Sequence, residues 1–179
     1  MKQALIIIDM QHDNFADSNM SDDQAQVMID RTNQLITYTK AKGMPIYIIE
    51  HISTSPASTL FLSGTKGAQT HTSIDTTDTT TIIKHYPSSF RETQLQAYLE
   101  TEGITALIIS GAMTHMCIDS TVRAGNDLGY QITLVSDACF AKDLSFEGHT
   151  VNTAEVHTAY MSALGDGLCK LSHTGDITL

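Results

Sequence analysis

A chain of 179 residues with 41% hydrophobic side chains is long enough to bury one core and calls for a single domain, residues 1–179. Twenty acidic against ten basic residues, a formal charge of −10, argue against a phosphate backbone or an anionic membrane as the main partner and favour a small molecule. The longest uninterrupted apolar run, Ala4 to Ile8, is far below the roughly 20 residues that span a bilayer, and Met1-Lys2-Gln3 leads into a strand rather than a signal peptide, so a cytoplasmic protein is expected.

Apolar β-rich runs alternate with helical patterns along the chain, the signature of an α/β sheet with crossover helices. Six strands are predicted: Gln3–Ile8, Pro45–Ile49, Thr80–Ile83, Ala106–Ser110, Gln131–Val135 and Gly167–Leu171. They read as continuous rather than alternating apolar runs, as parallel strands buried on both faces do. Helices are predicted at about Asp22–Lys42, Arg91–Glu102, His115–Leu128 and Thr150–Leu164, and Gly43, Gly103 and Gly129 each punctuate a helix end before a strand. The expected architecture is a three-layer αβα sandwich around a six-stranded parallel sheet. Between strands two and three lies His51 to Asp78, rich in Ser, Thr and Gly with little periodicity; loops this long inside compact domains are usually functional or mobile. The three cysteines, Cys117, Cys139 and Cys169, lack CxxC spacing and read as reduced thiols.

Three strand ends carry chemistry. Asp9 follows the first strand, Lys84 the third, and Cys117 ends Gly111-Ala112-Met113-Thr114-His115-Met116-Cys117, where the fourth strand turns into a helix. The carboxyl ends of parallel strands share one edge, where the ligand crevice of an open α/β sheet lies, so acid, amine and thiol can converge there. A helix N-terminus and a nearby lysine both favour thiolate, and two units of pKa lowering correspond to about 2.7 kcal/mol, within reach of such a setting. Cys117 is then a candidate nucleophile toward a carbonyl carbon. Asp9 is its candidate base, Lys84 a cation beside both, and the backbone N–H groups of Met113 and Cys117 are candidate oxyanion donors. Each residue also has a plainer reading: a cysteine after a strand is more often a small buried hydrophobe, a strand-end aspartate also serves phosphatases and receiver domains, and a lysine is usually solvated.

These segments resemble the isochorismatase-like cysteine hydrolases. Ala4-Leu5-Ile6-Ile7-Ile8-Asp9-Met10-Gln11-His12-Asp13-Asn14-Phe15 is similar to the family's opening strand and its DxQxD-aromatic turn. Lys84 with Ser88-Ser89-Phe90 and Thr93-Gln94-Leu95 resembles its lysine segment. Gly111 to Cys117, continued by Ile118, Thr121, Arg123, Ala124 and Gly129, resembles its nucleophile segment, and Val135-Ser136-Asp137-Ala138 the strand after it. The resemblance implies a triad of Asp9, Lys84 and Cys117, a six-stranded parallel sheet, a cis Ala112–Met113 peptide, and a dimer or larger homo-oligomer. It also implies hydrolysis of an amide or carbamoyl C–N bond through a cysteine thioester. A vinyl ether hydrolase, or an inactive relative kept for binding or structure, remains the alternative.

Nicotinamidases of this family hold a metal through an Asp-x-His motif, and the matching Ile49-Glu50-His51-Ile52-Ser53 lacks that spacing. Glu50, His51 and His71 could still form a site, but no metal and no other cofactor is expected. The substrate pocket is expected to draw on Phe15, His51, Phe61, Tyr86 and His115. Two rivals fail on residues: a haloacid-dehalogenase phosphatase needs a second aspartate where Gln11 stands, and a dinucleotide binder needs a glycine-rich turn where Asp9-Met10-Gln11-His12 stands.

Overall fold

The computed structural model describes residues 1–178. In chain order the elements are β1 (Gln3–Ile8), α1 (His12–Asp17), α2 (Asp22–Ala41), β2 (Ile46–His51), β3 (Thr80–Lys84), α3 (Leu95–Thr101) and β4 (Ala106–Ala112). A π-helical turn, Thr114–Ile118, then leads into α4 (Asp119–Asp127), followed by β5 (Gln131–Phe140), β6 (Leu144–Phe146), β7 (His149–Val151), α5 (Thr153–Gly165), β8 (Lys170–Ser172) and α6 (Thr174–Thr178).

Six strands form one parallel sheet in the order β3-β2-β1-β4-β5-β8, the expected three-layer architecture, while β6 and β7 form a separate antiparallel hairpin. Alternate residues of β1 feed two cores. Ala4, Ile6 and Ile8 pack with Leu95, Leu99, Val122, Met161 and Leu164 of α3, α4 and α5. Leu5 and Ile7 pack on the other face with Ile29, Leu35 and Ile36 of α2. Burial of each Leu or Ile side chain among them contributes roughly 1.5–3 kcal/mol, which is why this short uninterrupted apolar run makes a stable central strand.

Several boundaries differ from expectation for local reasons. The helix predicted from Thr150 starts at Thr153, because Asn152 caps it by accepting from the Glu155 N–H at 3.0 Å and the residues before it pair as the hairpin. The helix predicted from Arg91 starts at Leu95, after Thr93 has spent its hydroxyl on the Ser89 carbonyl at 2.6 Å. The predicted last strand shifts to Lys170–Ser172, since the N–H groups of Leu168 and Cys169 still bond back to the Leu164 carbonyl. Strand β5 overruns its predicted end by five residues, reaching Phe140 alongside Ala112.

The strand order reverses direction between β1 and β4, and the two run side by side until Ile8 lies opposite Gly111. At Gly111 a Cβ would sit 2.0 Å from the Ile8 carbonyl oxygen, and φ is +125°, so only glycine permits this approach. A register shift between Ile109 and Gly111 bends β4 at the same place. The Ala112–Met113 peptide that follows is cis.

Candidate active site

Asp9 leaves β1 with φ of +51°, a left-handed conformation uncommon for a residue other than glycine. Its backbone is held on both sides: its N–H donates to the Ile49 carbonyl at 2.9 Å, and its carbonyl accepts from Asn14 Nδ2 at 2.7 Å. Lys84 ends β3 opposite His51 of β2 and is fully buried, its side chain running past the β2 end toward β1. Its Nζ donates to Asp9 Oδ2 at 2.7 Å and to Cys117 Sγ at 3.1 Å, and lies 3.2 Å from His51 Nδ1. The structure thus brings Asp9, Lys84 and Cys117 together and adds His51 to them.

Burial governs the protonation of this group. It pushes the Asp9 carboxyl above its ordinary value despite the Lys84 ammonium beside it. Burial works against the Lys84 charge, but Asp9 and Cys117 outweigh it and the ammonium is held above its ordinary value. The His51 imidazole is lowered to about 4 by burial and by the Lys84 charge, so near neutral pH it is uncharged and Nδ1 accepts from Lys84. The expectation of a lowered thiol pKa is reversed: burial, then the Asp9 carboxylate, push Cys117 well above the ordinary range, and Lys84 only partly offsets them. Cys117 also lies in a π turn ahead of α4 rather than at the start of a regular helix, and it is held as a neutral thiol until a base takes its proton.

The residues around these side chains are fixed by hydrogen bonds. Thr114 is fully buried in the nucleophile turn, and its hydroxyl lies 3.0 Å from His157 Nδ1 of α5. Ser89, in the lysine segment, receives the Thr121 hydroxyl of α4 at 3.0 Å, tying that segment to the helix behind Cys117. The long loop is stitched down rather than loose. Gln11 Nε2 donates to the His51 and Ala68 carbonyls, Asp13 accepts from the Phe61 N–H at 2.6 Å, and Glu50 accepts from both the N–H and hydroxyl of Thr70.

A cavity of about 210 Å³ opens onto the thiol, lined by Asp9, His51, Met113 and Cys117 on the reactive side and by Leu60, Phe61, Pro87 and Met116 as apolar walls. Asn14, Asp17, His115 and Lys142 complete it. Of the expected pocket residues, His51, Phe61 and His115 line it. Phe15 does not: its ring packs 5.3 Å from Phe140 and 5.1 Å from His71. Tyr86 does not either: its ring lies beneath the Arg91 guanidinium at 3.7 Å, while its backbone reaches the His51 ring. The sequence reading missed Asp17, Lys142, Asn14, Leu60, Pro87 and Met116. Asn14 and Asp17 had one available signal, a three-residue spacing that places both on one helix face.

The candidate metal set of Glu50, His51 and His71 does not converge, because Glu50 is spent on Thr70 while the His71 ring packs at a tilt against His12, 4.4 Å away. Among the described residues, the donor atoms that do converge are those of Asp9, His51 and Cys117, all within 4.8 Å of one another. A cation already stands among them. The Lys84 ammonium contacts all three residues, so a metal there would have to expel a paired, buried lysine.

The model of the isochorismatase domain matches residues 3–164. The chain belongs to the isochorismatase family. An isochorismatase-family protein of Bacillus subtilis, YddQ, is 34% identical over 92% of this chain and 92% of its own length. A crystal structure of an isochorismatase hydrolase from Oleispira antarctica superposes with a TM-score of 0.89 at 35% identity, covering 99% of this chain and 96% of that one. The streptothricin hydrolase of Streptomyces noursei is 27% identical over 92% of this chain and 60% of its own length. The protein is an isochorismatase-family hydrolase.

Proposed function

We propose that this isochorismatase-family hydrolase cleaves an amide or carbamoyl C–N bond of a small molecule through a Cys117 thioester. The observation that carries this reading is the buried Lys84 ammonium, shared between Asp9 at 2.7 Å and Cys117 at 3.1 Å at the head of an apolar cavity. As the carbonyl carbon approaches, Cys117 passes its proton to Asp9, whose carboxyl is already pushed above its ordinary value by burial, and the sulfur forms the C–S bond. The Met113 and Cys117 N–H groups receive the developing oxyanion. Asp9 then gives the proton to the leaving nitrogen, the C–N bond breaks, and the acyl group stays on sulfur. Water enters, loses a proton to Asp9 and attacks the thioester, and the returning proton restores the thiol as the acid departs. Lys84 keeps its proton throughout and offsets the negative charge that moves between carboxylate and sulfur.

A cavity of about 210 Å³ suits a small-molecule substrate. Intact mass measured after mixing with a library of small amides tests the reading. A mass gain equal to one acyl group, absent in Cys117→Ala, is expected. Turnover that persists in Cys117→Ala without any adduct overturns it, and cleavage of vinyl ethers under those conditions would assign Asp9 the role of acid alone.

A further inference from the structure

The cavity carries a second polar grouping that the chemistry above does not use. Lys142, just beyond β5, pairs with Asp17 at the end of α1, and both line the cavity. About a third of each side chain is exposed, 36% and 33%, so the pair is neither sealed in the core nor free in solvent. His115 lines the same cavity, and its Nδ1 is buried without a hydrogen-bond partner. An orphaned acceptor is less costly than an orphaned donor, which places the ring proton on Nε2. Burial, then the Lys142 charge, lower the His115 pKa, so the ring is neutral near pH 7.

The charges that reach the cavity are therefore offset in two pairs, Asp9 on the wall by Lys84 buried behind it and Asp17 by Lys142 beside it. A ligand with net charge would enter with no counter-charge left to offset its desolvation, while a wholly apolar one would strip water from the second pair without replacing it. Lys142 keeps two further N–H donors, Asp17 a second acceptor oxygen, and His115 one N–H donor. The Leu60, Phe61, Pro87 and Met116 walls leave room for a short apolar middle.

Resting on the proposed reaction, we infer that Asp17, Lys142 and His115 select a net-neutral small amide whose far end carries both a hydrogen-bond donor and an acceptor. The ion pair serves as a dipolar clamp for that tail. Removing one partner leaves the other charge uncompensated, so each single variant should change which tail is preferred.

Four primary amides of matched length test this: succinamide with a neutral polar tail, succinamate with an anionic one, 4-aminobutanamide with a cationic one and pentanamide with an apolar one. Binding is measured by ligand-detected NMR on Cys117→Ala, which removes turnover, and ammonia release on the enzyme with its thiol intact. Succinamide should bind about tenfold tighter than each of the others, a difference of about 1.4 kcal/mol. Lys142→Met should shift the preference about tenfold toward 4-aminobutanamide, and Asp17→Asn about tenfold toward succinamate. The swapped pair Asp17→Lys with Lys142→Asp should restore the neutral preference, which a purely structural ion pair would not predict. Equal binding of pentanamide and succinamide, an unchanged order in both single variants, or no binding by any of the four overturns the inference. The expected binding order without ammonia release would uphold the clamp and sink the proposed reaction instead.

Discussion

Gln11 holds the peptide of His51 from both sides, accepting its N–H and donating to its carbonyl, each at 2.8 Å, while the same amide nitrogen reaches the Ala68 carbonyl at 2.6 Å. One fully buried side chain thus sets the end of β2, where His51 meets Lys84, and anchors the long loop above the cavity.

Replacing Gln11 with leucine keeps the volume and leaves three backbone groups unpaired. At about 1–3 kcal/mol for each unsatisfied group, a loss of about 3 kcal/mol or more in urea unfolding is expected. Hydrogen exchange should rise across residues 51–78 beyond the global change.

Asp9→Asn should move two readouts in opposite directions. The carboxylate is one of the two causes that raise the Cys117 pKa, so its removal lowers that pKa and iodoacetamide labelling at pH 8 should become faster. Turnover should fall by roughly 10²–10⁴, the usual contribution of a positioned acid–base group. Labelling and turnover falling together would argue against Asp9 as the proton carrier.

Lys84→Met strands a buried carboxylate, and breaking a buried pair this way costs about 3–5 kcal/mol. Adding Asp9→Asn should recover most of that loss in chemical denaturation. In the wild type, the raised Lys84 pKa contributes stability that is complete below its unfolded value of 10.5 and is lost as pH rises through the folded value.

His51 supplies a pH signature on the acid side. Its folded value of about 4 lies below the ordinary 6.5, so between those limits the unfolded chain binds a proton that the folded chain refuses. Stability from this residue falls as pH drops from 6.5 to about 4 and then levels off. Asp9 acts in the opposite sense, its raised pKa keeping a proton on the folded form. The difference between wild type and His51→Gln, measured by urea midpoints from pH 4 to 7, isolates the histidine and should show the slope reduced in the variant.

Gly111→Ala should prevent the native approach of β1 and β4, because the new methyl would lie 2.0 Å from the Ile8 carbonyl oxygen. Failure to accumulate folded protein is expected, and a native circular dichroism spectrum with an unchanged melting temperature would contradict the packing described.

The fold was legible chiefly because its central strands are short, almost wholly buried apolar runs, Ala4–Ile8 and Ala106–Ile109, for which periodicity and length agree. Asp9 and Cys117 stood out because each follows such a run, Lys84 because it closes the largely exposed Thr80–Ile83, and parallel strands end on one edge. Other features had no local pattern to announce them. Lys142 comes from an irregular stretch after β5, and Asp17 from a helix of six residues. The hairpin has only three residues a side, Leu144–Phe146 and His149–Val151, largely exposed and too short for an apolar period to mark. Phe15 was misplaced because an aromatic beside the motif fits a pocket wall or a core equally well until Phe140 is brought next to it. The rise in the Cys117 pKa was invisible for a similar reason: it depends on how deeply the thiol is covered and how near Asp9 stands, which residue order does not encode.

The groups around the cavity come from residues 9, 17, 51, 61, 84, 117 and 142, so the machinery is spread over most of the chain. Catalytic competence is therefore a property of the completed sheet: a nicked or partly refolded molecule can regain helix signal and compactness while doing no chemistry. In refolding, the recovery of turnover should trail the recovery of secondary structure and coincide with the burial of Lys84, which makes activity a clock for the final closure of the molecule.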